Sequence, residues 1–301
     1  MDFGRGVPLD GIDFRLPPDP PDTVRALGGT RRMPARPDLR VGTPRWADRG
    51  YVGTLFPRGT RPPEFLHSYA SALPTVELNA TWYRCDPDQI RRWRAQVGHH
   101  FRFCPKLPGR VGHEKRLRDV GADVEAFVDA VRGFDVTLGT CWLLLPNDFG
   151  PREFDALRAF VEAWPQEIPL AVELRHVQWF AESRVRNEVF SLFREHGTIA
   201  VLTDVAGRRD VLHMELTVPT TFVRLALNDL DPTDYERTEA WADRLASWFE
   251  QGLETAYFFV HQPTESNNAE FVRHLLATFN LRTGAGLSVP ASHGAIQGRL
   301  F

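Results

Sequence analysis

Lysine is nearly missing from this 301-residue chain. Of its 36 basic residues only Lys106 and Lys115 are lysine, and all the others are arginine. A chain weighted this way keeps a lysine by chance or where a compact ammonium is needed, which draws attention to Lys106. Cysteine is also scarce: Cys85, Cys104 and Cys141 cannot all pair and show no metal-type spacing. That excludes a disulfide framework and points to a reducing, cytoplasmic setting. No apolar run approaches the roughly 18 residues a membrane span requires, and the polar N-terminus has no secretory pattern. A net charge of −3 excludes a global pull toward DNA or an anionic membrane. No G-x-G-x-x-G follows a strand-like run, so nothing supports a dinucleotide site.

What is present is a rhythm. Residues 1–37 hold seven prolines and little apolar periodicity, and read as an irregular arm, ordered only if it packs on the body. From 38 to 281, short apolar runs alternate with amphipathic stretches. The runs are LRVGT (39–43), TVEL (75–78), FRFCPK (101–106), TCWLLLP (140–146), LAVEL (170–174), TIAVLTD (198–204), FVRLAL (222–227) and AYFFVH (256–261). Helices are predicted near 62–73, 86–97 with Asp86 as N-cap, 122–134, after Pro151, 182–196, 241–252 and 269–279. A loop and a short helical turn are predicted after the sixth run. Near-continuous apolar strands are those covered on both faces. Eight such units predict an α/β fold of the TIM-type (β/α)8 barrel kind, a single domain followed by a loosely held tail at 282–301.

In such a fold the C-terminal strand ends share one mouth. Those ends carry Thr43, Glu77 and Asn79, Lys106, Asn147, then Glu173, Arg175 and His176, Asp204, Arg224 and His261. Polar residues recurring at the same phase of otherwise apolar strands are the main functional signal. PTVELNATW and PLAVELRHVQW each place a glutamate within an apolar run, a costly position unless the charge is paired. Glu77 and Glu173 are expected as acid and base, and Lys106 as the stabiliser of developing negative charge. Arg175, Arg224 and Arg84 suit an anion, while Trp82, Tyr83 and Trp179 offer flat faces. The plainer alternative is that the glutamates pair with Arg175 or Lys106 and brace the mouth. Glu77, Glu173, Asp204, His176 and His261 are of metal-ligand type. Without H-x-H or H-E-x-x-H spacing, however, no metal or cofactor is expected.

GT at 42–43, YVGTLFP, TVELNATWYR, FRFCPK, GHEKRL, VELRHVQWF, TD at 203–204 and FVRL together resemble the domain of unknown function 72 (YecE-like) family, from about residue 38 to 279. The resemblance implies a TIM-type barrel and a cytoplasmic protein, and no established reaction. It maps onto Glu77, Asn79, Thr81, Tyr83, Arg84, Lys106, His113, Glu173, Arg175, His176, Trp179, Asp204, Arg224 and Asn268. The chain departs from the family pattern at Leu144 and at Ala226–Leu227, where His261 is the expected substitute for a missing histidine. The expectation is therefore an enzyme (hydrolase, lyase or isomerase) acting on an anionic, sugar- or phosphate-bearing small molecule. Glu77, Lys106, Glu173, His176 and Asp204 would be catalytic. Asn79, Tyr83, Arg84, His113, Arg175, Trp179, Arg224, His261 and Asn268 would bind substrate. The alternatives are a nucleic-acid binder using an arginine rim (Arg91, Arg92, Arg94, Arg116, Arg118) and a non-catalytic sensor.

Overall fold

Eight short parallel strands form where the sequence has its apolar runs: β1 Asp38–Gly42, β2 Thr75–Leu78, β3 Arg102–Pro105, β4 Cys141–Leu144, β5 Leu170–Glu173, β6 Ile199–Asp204, β7 Thr220–Ala226 and β8 Thr255–His261. The computed structural model describes residues 3–28, 36–264 and 267–290. Its helices, among these residues, are α1 Pro21–Leu27, α2 Phe65–Ala72, α3 Pro87–Arg94, α4 Gly121–Val131, α5 Phe154–Ala163, α6 Gln178–Ala181, α7 Ser183–Glu195, α8 Pro232–Gln251 and α9 Asn268–Thr283. Asp86 caps α3 as its sequence suggests, accepting the Asp88 N–H at 2.9 Å and the Gln89 N–H at 3.3 Å. Gly252, at φ 115°, closes α8.

The strands do not form one continuous ladder. Six of them pair in the order β1-β8-β7-β6-β5-β4, and β2 pairs with β3 separately. The break between β3 and β4 has a local cause. Arg102 and Lys106 donate their N–H groups to Pro74 and Leu78 on the β2 side. By alternation the N–H of residue 105 would face β4, and residue 105 is proline, which has none. What crosses that seam is Gly139 N–H to the Phe103 carbonyl at 2.8 Å and Leu107 N–H to the Trp142 carbonyl at 2.9 Å. Between β1 and β2 the link is Glu77 N–H to the Thr43 carbonyl at 3.1 Å. Gly42 permits that approach, since a Cβ there would stand 2.4 Å from the Thr75 carbonyl oxygen.

Side chains alternate between two buried faces. One face packs outward under the helices in a core that includes Val76, Phe103, Leu143, Val172, Leu202, Val223 and Phe258. The other gathers Cys104, Trp142, Leu144, Ala171, Ile199, Val201, Phe222, Tyr257 and Phe259 into a second apolar cluster. Residues at that inward phase near the strand ends are Glu77, Lys106, Glu173, Thr203, Arg224 and His261.

The sixth strand is followed by a 3-10 turn, Ala206–Val211, in line with the loop and short helical turn expected there. The arm, expected to be irregular, contains α1 and packs on the body beside this segment. Thr23 on α1 donates to the Met214 carbonyl and accepts the Leu216 N–H, both at 2.9 Å. Asp22 pairs with Arg194 of α7 at 3.2 Å, and Asp19 accepts from Arg244 and from the Trp248 indole of α8. The start of the tail is also held: Ala285 is buried and its carbonyl accepts from Arg36. Residues 291–301 lie outside the described residues.

Candidate functional site

Glu77 and Glu173 sit on β2 and β5 at the inward phase, and both are fully buried. Arg224, from β7 between them, spans the two: its Nε and Nη2 donate to Glu77 at 2.8 and 3.2 Å, and its Nη1 donates to Glu173 at 2.7 Å. Asn79 Nδ2 donates to Glu77 Oε1 at 2.9 Å, His261 Nε2 lies 3.0 Å from Glu77 Oε2, and Arg175 Nε donates to Glu173 at 2.7 Å. Burial alone would raise both carboxyls. For Glu77 the charge of Arg224 outweighs it, and for Glu173 those of Arg175 and Arg224 do, so both are held below the ordinary glutamate value. Burial lowers His261 to about 4, which leaves the ring neutral and its Nε2–H donating to Glu77.

Above this layer opens a cavity of about 620 Å³. Its wall includes Arg5, Arg45, Lys106, Arg175, Arg224, Asn79, Thr203, His261, Trp82 and Tyr83, and neither glutamate. The two carboxylates thus lie behind the cations they pair with, each held by several donors, and the cations face the space.

Lys106 differs from its neighbours. Among the described residues no acceptor reaches its Nζ, which lies 4.1 Å from the Trp82 ring centroid and 4.7 Å from that of Trp142. Burial, followed by the charge of Arg224, lowers its pKa to about 8. Arg224 stands over the same Trp142 ring at 4.7 Å. The hydroxyl of Thr203 is buried in the wall without a partner among the described residues.

Several predicted site residues do not join this group. Asp204 follows Thr203 and so points to the opposite face. There it accepts from Arg237 and the Trp241 indole of α8, each at 2.8 Å, and from Arg209. His176 turns back on its own loop, Nδ1 accepting the Gln178 N–H at 3.2 Å. Trp179 is buried in the helix layer and donates to the Phe149 carbonyl at 2.7 Å. Arg84 is exposed and pairs with Asp86, while Tyr83 lines the cavity with its side chain largely in solvent. Asn268 begins α9 and accepts the Gln262 N–H at 3.3 Å. His113 packs edge-on against Trp82, 4.5 Å between centroids, with neither ring nitrogen partnered among the described residues; burial and the charge of Lys106 lower it to about 4. The rim arginines are largely neutralised: Arg91 by Asp88, Arg116 and Arg118 by Glu153, and Arg94 by Asp135. Among the described residues no group of three or more His, Cys, Asp or Glu side chains is placed to hold a metal ion.

Sequence reasoning missed Phe3, Arg5, Trp142 and Thr203. Strand alternation counted back from Leu144 would have found Trp142, and counted back from Asp204 would have found Thr203. Phe3 and Arg5 carry no local signal, because distant contacts place them.

The profile of the family "Protein of unknown function DUF72" matches residues 40–293. UPF0759 protein YecE of Escherichia coli K12 is 30% identical over 256 residues, covering 79% of this chain and 91% of that protein. Two crystal structures of a DUF72 family protein (EF0366) from Enterococcus faecalis V583 superpose with TM-scores of 0.63 and 0.60. Their identities are 15% and 16%, and each comparison covers 84% of this chain and 98% of the other.

Proposed function

This chain belongs to the DUF72 family, and from that premise we propose that its cavity binds a small anionic metabolite and acts on it through Lys106. One observation carries this reading: the cavity wall is cationic, and the carboxylates that partly neutralise it are shut behind it. Guanidinium groups fit phosphate or carboxylate oxygens, and Trp82 and Tyr83 supply faces for an attached ring. Among the described wall cations, Lys106 has a proton equilibrium near neutrality, at about 8. As an ammonium it stabilises negative charge developing on the substrate or protonates it. As an amine it removes a proton. That suits an isomerase, lyase or hydrolase working by proton transfer, with neutral His261 as a second proton carrier. No helix among the described residues is long and apolar enough to cross a membrane, and the three cysteines are unpaired, which suits the reducing cytoplasm.

A TIM-type (β/α)8 barrel accounts for the arrangement. It is supported by eight parallel strands in sequence order, by the backbone hydrogen bonds across both seams, and by an inner apolar cluster distinct from the helix-covered one. Pairing of the rim arginines with carboxylates favours a small molecule over nucleic acid.

A panel of phosphorylated and carboxylated metabolites, read by thermal shift and turnover, tests this proposal. Lys106→Met should abolish turnover and reduce the ligand-induced shift, whereas Lys115→Met, which removes a surface pair with Asp123, should leave both intact. Undiminished turnover in Lys106→Met would remove the lysine from the mechanism. A shift without turnover across the panel would favour a sensor.

A further inference from the structure

Phe3 and Arg5 of the N-terminal arm line the cavity. Phe3 is buried with its ring 4.0 Å from the Arg175 guanidinium and 4.7 Å from that of Arg208. Gly4 then crosses Gly207 backbone to backbone, its carbonyl accepting the Gly207 N–H at 2.8 Å. Neither residue tolerates a side chain. Gly4 has φ +70°, and a Cβ on it would lie 2.8 Å from the Gly207 carbonyl carbon; a Cβ on Gly207 would lie 2.8 Å from the Gly4 oxygen. Farther along, Arg209 anchors the arm by donating to the carbonyls of Asp13, Phe14 and Arg15 at 3.1 to 3.2 Å while pairing with Asp204. The crossing fixes the next residue, Arg5, in the cavity wall.

Arg5 makes no hydrogen bond or ion pair with any described residue. It is half-buried: burial, then the charges of Arg224 and Arg175, disfavour its own charge, and the carboxylates Glu77 and Glu173 offset this only in part. A guanidinium held among guanidiniums without an acceptor costs stability until an anion arrives. Leaving aside Arg45 at the rim, the site holds four cations, Arg5, Lys106, Arg175 and Arg224, against two carboxylates, Glu77 and Glu173. With Lys106 protonated the excess is two positive charges, and Arg5 supplies one of them.

We propose that Arg5, carried into the cavity by the locked Gly4–Gly207 crossing, is a specificity-determining residue that selects a doubly charged ligand group, such as a phosphomonoester, over a singly charged carboxylate. The inference rests on the anion-pocket reading above and adds the charge class of the ligand and the role of the arm.

Inorganic phosphate and acetate, titrated calorimetrically at pH 8 and low salt, test it. The native protein should bind phosphate more tightly than acetate. Arg5→Ala should lose about tenfold in phosphate affinity, the value of one charge-assisted hydrogen bond, with little change for acetate. Its melting temperature should hold or rise, because an unpartnered cation has been removed; a structural arginine would lower it. Gly4→Ala, which displaces Arg5 without deleting it, should lose the same preference. Equal loss of both anions in Arg5→Ala, or phosphate affinity unchanged, overturns the role of Arg5 alone. Failure of the native protein to bind either anion overturns the anion pocket itself.

Discussion

Two buried carboxylate–guanidinium clusters stand one residue out of phase at the strand ends. The inward one joins Glu77 and Glu173 through Arg224; the outward one joins Asp204 to Arg237, Arg209 and Trp241. Both satisfy their acids with donors, as buried carboxylates must be. The inward cluster is backed by an apolar layer and faced by a cavity, so it leaves cationic surface unspent. The outward cluster is sealed by α8 and the arm, and its charges are used up in holding elements together. Acid–arginine pairing alone therefore does not mark a site; what the free side of the cation faces decides the matter.

Substitutions that empty each cluster should separate these roles. Arg224→Met leaves two buried carboxylates short of donors and should cost about 3–5 kcal/mol in denaturant unfolding, together with the anion response. Arg237→Met should cost a similar or slightly smaller amount, about 3 kcal/mol, since Asp204 keeps Arg209 and Trp241. It should preserve the Lys106-dependent ligand shift, and loss of that shift would erase the distinction.

Proton linkage sharpens the contrast next. Unfolded Lys106 titrates near 10.5 and native Lys106 near 8, so the unfolded chain binds more protons in between, and stability from this group rises with pH across that window. Lys106→Met should remove that slope and stabilise the protein below pH 8 by on the order of 3 kcal/mol, seen in unfolding curves taken from pH 7 to 10.5. His261 acts at the acid end. Unfolded it protonates near 6.5 and native near 4, so its contribution is lost as pH falls through that interval, and His261→Gln should flatten that loss. The smallest effect is expected at Arg84→Ala, within about 0.5 kcal/mol and silent in binding, because its pair with Asp86 lies in solvent.

Much of the fold was legible because strand burial and helix capping are local. TVEL and LAVEL gave strands whose glutamates share one phase, and Gly252 marked the end of α8. The start of α8 was misplaced toward Trp241, although Asp231–Pro232 carries an N-cap and a first-turn proline. Asp204 misled because a strand end identifies a level of the fold, whereas the face depends on parity, and a one-residue step reverses it. The role of Glu77 and Glu173 depends on Arg224, 147 and 51 residues away in sequence, which no local pattern specifies. The loop and short turn after the sixth run were legible as well, whereas the packing of α1 against Met214 and Leu216 beyond it is a tertiary event.

That packing bears on the order of assembly. Asp13 of the arm is made well before Arg209, which grips it from 196 residues farther along the chain. Contacts so distant close late, after the strands and α8 they depend on have formed. The seating of Arg5 in the wall therefore depends on contacts of very long sequence separation, and the full charge of the cavity is a property of the completed fold.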